Sequence, residues 1–160
     1  MESMSDKPNV ALLGCGYWGK NLARNFHELR ALLCVCDPSE AGRATARAIA
    51  DGVQTTDQFE TVFRDSEIDA VAIATPAPSH FELTARALMA GKDVFVEKPM
   101  TLHADEADQL QELAREQQRV LMVGHLMEYH PAVQHLREAI TGGEFGEVRA
   151  VMFYGKGEHF

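Results

Sequence analysis

Asn9-Val-Ala-Leu-Leu-Gly14-Cys15-Gly16-Tyr17-Trp18-Gly19 decides how the rest of the chain is read. Its opening is a short, nearly all-apolar run with turn glycines behind it, the pattern of a strand buried on both faces in a parallel sheet. Tyr17 to Leu29 then carries Leu22, Phe26 and Leu29 at helical spacing, so a helix is expected to follow the turn. Gly14 permits a tight turn, Gly16 lets the backbone approach a phosphate with no Cβ in the way, and Gly19 lets helix and strand pack closely. The helix N-terminus behind such a turn supplies free amides and the positive end of a dipole, which suits an anion.

Outward from this stretch the same alternation repeats. Strands are expected at Leu32 to Asp37, Ala70 to Thr75, Val94 to Glu97 and Val120 to Gly124, and helices at Glu40 to Ala50, Ser79 to Ala90 and Ala104 to Gln118. Repeated strand and helix units predict an α/β fold, a doubly wound parallel sheet of the Rossmann kind with right-handed crossovers. Ser79 is the expected N-cap of the helix ending at Gly91, and Gly142-Gly143 closes the helix that starts near Pro131. Val148 to Tyr154 looks like one further strand, without a successor. Such a strand is expected to pair with another copy of the chain or to lack order, and a homo-oligomer is the expected assembly.

Composition narrows the class. The 160 residues are 46% hydrophobic and 24% charged, ordinary for one globular domain. A net charge of −9 argues against nucleic acid or an anionic membrane as partner, since both need basic patches. No run approaches the roughly 20 apolar residues that cross a bilayer, and Met1 to Pro8 lacks the apolar centre of a secretory signal, so a cytoplasmic protein is expected. Cys34 and Cys36 lie two apart on a strand and read as small core side chains. No metal site is expected, because the three cysteines form no CxxC pair and the five-residue steps between His125, His130 and His135 rotate them around a helix.

An acidic residue about twenty positions beyond the glycine turn, at the end of the next strand, is the second mark of a dinucleotide site. Asp37 in Cys34-Val-Cys-Asp37-Pro38 occupies that place. Its carboxylate suits the adenosine ribose hydroxyls and repels a 2′-phosphate, and Arg43 is the first basic residue after it, which favours NAD over NADP. The dinucleotide reading is favoured because all the pieces occur in order; a methyltransferase that binds S-adenosylmethionine is its main competitor at this point, and a turn in which Asp37 only caps is the bland alternative. Asp93-Val-Phe-Val-Glu97-Lys98-Pro99 places two charges at the carboxyl end of another buried strand, where such folds build active sites. A partly buried Lys98 beside a sugar hydroxyl can hydrogen-bond its oxygen and help remove its proton. Glu97 can orient Lys98 or cap the strand, and taken alone Glu-Lys-Pro is more often a solvated turn.

Gly14 to Gly19, Asp37, Ala74-Thr75-Pro76, His80, Ala90-Gly91-Lys92 and Glu97-Lys98-Pro99 fall in the order and approximate spacing of one family. Over nearly all its length the chain resembles the glucose-fructose oxidoreductase/inositol dehydrogenase family, and Glu-Lys-Pro disfavours the methyltransferase. The resemblance implies an NAD-dependent sugar dehydrogenase with Lys98 catalytic. It implies cofactor contacts from Gly14, Gly16, Tyr17, Trp18, Gly19, Asp37, Thr75, Pro76, His80, Glu97 and Lys98, with Glu97 near the nicotinamide ribose. Read without it, Thr75 to Ser79 is a proline-stiffened loop, and His80 a first-turn residue packed by its helix.

Val123-Gly-His125-Leu-Met-Glu-Tyr129-His130-Pro131-Ala-Val133 is similar to the branch that oxidises the 3-hydroxyl of UDP-N-acetylglucosamine or its uronic acid, in making precursors of surface polysaccharides. That likeness implies a substrate class only; read from the residues, His125 and Tyr129 follow a strand end where side chains can face the sugar, His130 reads as the residue that opens a helix, and each imidazole taken singly reads more readily as structural. Residues 1–125 are thus expected to form the dinucleotide-binding domain, and residues 126–160 a connecting helix and first strand of a truncated substrate domain. The family's second domain, a large antiparallel sheet, supplies a histidine that acts with the lysine. The sequence stops before such residues, which leaves a non-catalytic NAD-binding or assembly module as the alternative for these 160 residues alone.

Overall fold

A computed structural model describes residues 7–151. Six strands alternate with helices: β1 (Val10–Leu13), α1 (Gly19–Glu28), β2 (Leu32–Cys36), α2 (Glu40–Ile49), β3 (Gln54–Thr56), α3 (Phe59–Arg64), β4 (Ala70–Ile73), α4 (His80–Met89), β5 (Asp93–Val96), α5 (Ala104–Gln117), β6 (Leu121–Val123) and α6 (Pro131–Thr141). All pairings are parallel, in the order β3-β2-β1-β4-β5-β6. The chain winds outward from β1 in one direction, returns at β4 and winds outward in the other. This reversal beside β1 opens a crevice at the carboxyl edge.

Successive strand side chains face opposite sides, and the core divides accordingly. Ala11, Leu13, Cys34, Cys36, Val71, Ile73, Val94 and Val96 pack with Leu83 and Leu88 of α4 and Leu110 of α5. Val10, Leu12, Val35 and Ala72 pack on the other face with Leu22 and Ala23 of α1 and Ala46 of α2. Apolar residues on both faces explain why the central strands read as continuous apolar runs.

The structure differs from the sequence reading at four places. β3 and α3 fill a stretch left unassigned: β3 is three polar residues at the sheet edge, and α3 is under two turns long. Leu29 lies past the end of α1 and is 58% exposed instead of facing the core. Ser79 precedes α4 but does not cap it, because its hydroxyl is turned back onto Pro76 and Thr75 within the short 3-10 turn Ala77–Ser79. Val148 to Val151 carries no strand, and Met152 to Tyr154 of that expected strand lie outside the described residues.

The chain divides into two compact units at Gly124 and His125. In the second unit, α6 begins on Pro131 with His130 as its N-cap, the imidazole Nδ1 accepting from the Ala132 amide at 3.2 Å. Gly142 ends it and Gly143 follows at φ +78°.

Candidate active site

Parallel register brings five strand ends to one line. Leu13 lies opposite Cys36 and Ile73, Ile73 opposite Val96, and Val96 opposite Val123. The residues immediately beyond, Gly14, Asp37, Ala74, Glu97 and Gly124, therefore form the carboxyl edge. Ladder bonds continue through them: Gly14 donates to Cys36, Ala74 to Leu13, Glu97 to Ile73 and Gly124 to Val96, all at 2.8–2.9 Å.

At the centre of this edge is the glycine turn. Gly14 has φ +88°, and a Cβ there would stand 2.9 Å from the Ala74 carbonyl oxygen; one on Gly19 would stand 2.1 Å from that of Gly14. The turn is thus closed against β4 on one side and by α1 on the other. Gly16 meets nothing within 4 Å. The helix that follows carries no acidic side chain in its own first turn, which suits an anion at its N-terminus. Tyr17 is 75% exposed with Lys20 over its ring, and Trp18 is 40% exposed.

Asp37 ends β2 with 8% of its surface exposed. One carboxylate oxygen accepts from the Cys15 amide at 2.7 Å, the other from the Ser39 amide and hydroxyl at 2.8 and 2.7 Å. Burial raises its proton affinity, but these hydrogen bonds and nearby Arg43 outweigh that and hold the carboxyl below its usual value. Arg43 donates to the Asp37 and Pro38 carbonyls at 2.7 and 3.0 Å and pairs with Glu40 at 2.8 Å. Arg47 also pairs with Glu40 and donates to Thr55. Cys15, Cys34 and Cys36 are buried and unbridged. Burial pushes the Cys34 thiol up to about 11 and that of Cys36 to about 12, so both stay protonated and unreactive.

Beyond β4, the Thr75 hydroxyl meets that of Ser79 at 2.7 Å, and exposed Pro76 accepts from Ser79 through its carbonyl. His80 is 2% exposed, with its ring nitrogens 2.7 Å from the carbonyl oxygens of Pro99 and Thr75. Both nitrogens being so engaged, the ring braces the two loops beside the site and offers no free nitrogen to a ligand.

Glu97 is buried at 6% exposure. It accepts from the Trp18 indole Nε1 at 2.6 Å and from the Lys98 amide at 3.2 Å. Lys98 stands exposed, not partly buried as expected, and the Lys98–Pro99 peptide bond is cis. Glu97 therefore engages the main chain of Lys98, and no ion pair joins their side chains among the described residues. In the second unit, His125 precedes the short 3-10 turn Leu126–Tyr129 and Tyr129 ends it, with Tyr129 63% exposed. The sequence reading missed Ser39, Gly42 and Gly124; a Cβ on Gly42 would fall 2.2 Å from the Asp37 carboxyl carbon, and one on Gly124 3.0 Å from a Glu97 oxygen.

Comparisons with known proteins agree with this architecture. The chain is 35% identical over 133 residues to UDP-N-acetylglucosamine 3-dehydrogenase of Acidithiobacillus ferrooxidans, an alignment covering 83% of this chain and 42% of the relative. The solved structure of that protein superposes with a TM-score of 0.76 at 32% identity, over 83% of this chain and 42% of that one. Bacillus subtilis scyllo-inositol 2-dehydrogenase (NAD+) is 35% identical over 150 residues, 90% of this chain and 43% of the relative. Synechocystis biliverdin reductase, solved with biliverdin and NADP+, superposes with a TM-score of 0.75 at 32% identity, over 83% and 42%. The chain thus spans less than half the length of these relatives. The profile of the Gfo/Idh/MocA oxidoreductase family, with its NAD-binding Rossmann fold, matches residues 8–125, and the chain belongs to that family.

Proposed function

We propose that the chain is the cofactor-binding part of an NAD-dependent dehydrogenase that oxidises a sugar hydroxyl, with the 3-hydroxyl of a UDP-N-acetylated sugar or its uronic acid as substrate class. The observation that carries this reading is the convergence of the glycine turn, Asp37, Glu97 and exposed Lys98 on one sheet edge. Two relatives are named for dehydrogenation of a UDP-amino sugar and of an inositol, the second with NAD+.

The residues present fit a dinucleotide. Gly16 leaves open space where a side chain would stand, and the amides beginning α1 would hold the diphosphate. Asp37 would accept from the adenosine ribose, with Thr75 and Pro76 along the cofactor. NAD is favoured over NADP because Arg43 and Arg47 are both committed to Glu40 and to neighbouring acceptors, which leaves a 2′-phosphate facing carboxylates. A bound NAD+ would supply the hydride acceptor for the carbon that bears the hydroxyl. Lys98 Nζ would hydrogen-bond the hydroxyl oxygen and assist removal of its proton, which the histidine of the family's second domain would accept, as that C–O bond becomes a carbonyl.

Titration calorimetry with NAD and NADP tests the cofactor half. The expected result is NAD binding at least about tenfold, or ~1.4 kcal/mol, tighter than NADP. Binding of neither sinks the reading, and preference for NADP removes the role given to Asp37. On protein of its relatives' length, Lys98→Ala is expected to abolish turnover of UDP-N-acetylglucosamine or its uronate while leaving NAD affinity intact; retained turnover excludes the lysine mechanism.

A further inference from the structure

Glu97 is a buried carboxylate with few donors. An ionised carboxylate offers about four lone-pair positions, and burying one is costly unless they are filled. Among the described residues only the Trp18 indole and the Lys98 amide donate to it. Gly124 closes one side without donating: any Cβ there would press on the carboxylate at 3.0–3.1 Å. The single side-chain donor comes from the glycine turn, 79 residues earlier in the chain, and its bond of 2.6 Å is the shorter of the two.

Strand order shows what this bond spans. β2 and β4 flank β1, with β5 beyond β4, so Asp37 stands on one side of the glycine turn and Glu97 on the other. A dinucleotide whose diphosphate lies on the turn extends one ribose toward each carboxylate. Asp37 is steadied by Ser39 and the Cys15 amide. For Glu97 the corresponding side-chain donor is Trp18.

We infer that Trp18 is a positioning residue, whose indole N–H pins the Glu97 carboxylate so that its unfilled lone pairs accept from the hydroxyls of the second ribose. Diphosphate turn and ribose acceptor are thereby fixed relative to each other before the cofactor arrives. This inference rests on the dinucleotide reading above and adds a residue and a contact to it.

ADP, ADP-ribose and NAD serve as probes, because ADP carries the diphosphate without the second ribose. In Trp18→Phe, affinity for ADP-ribose and NAD is expected to fall about tenfold, the scale of one charge-assisted hydrogen bond, with ADP affinity held within about twofold. Equal losses for all three would mean that the turn itself has collapsed, and unchanged NAD affinity would mean that Glu97 needs no pin; either overturns the inference. Glu97→Gln, whose amide oxygen still accepts from the indole, is expected to retain more NAD affinity than Glu97→Leu.

A readout free of substitution is the indole N–H resonance, single because the chain has one tryptophan. Its hydrogen exchange is expected to be slow although the residue is 40% exposed, and exchange at the rate of free indole refutes the bond. If ADP, ADP-ribose and NAD all fail to bind the wild-type chain, the dinucleotide reading falls and the ribose contact with it, while slow indole exchange still establishes the Trp18–Glu97 bond.

Discussion

Asp37 joins recognition to architecture within a single side chain. Its position after β2 is legible in the sequence, but half of its role is not, because its donors come from Cys15, twenty-two residues earlier, and from Ser39. Nothing in the local pattern announces that α2 presses its glycine, Gly42, against this carboxylate. The pH dependence follows with a definite sign. Burial works against the charge, hydrogen bonds and Arg43 outweigh it, and the folded carboxyl titrates below its unfolded value. Its stabilisation is therefore complete at pH values above the unfolded pKa and is lost as pH falls through the folded one. Asp37→Asn should lower the melting temperature near neutrality and approach wild type toward acid. A melting difference that stays constant across the acid range contradicts this account.

Elements were legible where burial imposes a period. β1, β2, β4, β5 and β6 show as apolar runs and α1, α2, α4 and α5 as amphipathic ones, because each packs against the double-sided core. β3 and α3 carry no such mark: an edge strand of Gln54-Thr-Thr56 and a six-residue helix bury too little to pattern their sequence. Ala90-Gly91-Lys92, noticed as part of a family resemblance, has a local physical basis. Gly91 turns the chain after α4 at φ +73°, and Lys92, 7% exposed, donates to the Asp65 and Ile68 carbonyls at 2.6 and 2.7 Å. The lysine thus ties the connection between α3 and β4 to the start of β5. Lys92→Met keeps the stem but removes the lysine donor from the buried Ile68 carbonyl and the half-buried Asp65 carbonyl, for an expected loss of about 1–3 kcal/mol in denaturant unfolding, with faster amide exchange near residues 65–68. Wild-type stability in this variant would falsify the clasp.

For the molecule as a whole, the decisive features are the sheet order and the single edge it produces. The sequence read as a doubly wound sheet with its glycine turn, acid and lysine on carboxyl ends, and the structure has them along one carboxyl edge, after β1, β2 and β5. Contacts that cross the edge, such as Trp18 to Glu97, were not legible, since their partners lie on different strands and share no spacing rule. That contact also gives the chain an optical property. Its only indole stands beside the open flank of Gly16, partly exposed. Tryptophan emits where reduced nicotinamide absorbs, so NADH bound along the edge should quench the emission saturably by energy transfer, more strongly than NAD does. The native protein thus carries its own label-free titration signal, without background from a second fluorophore of the same kind. Emission indifferent to saturating NADH would put the cofactor somewhere other than this turn.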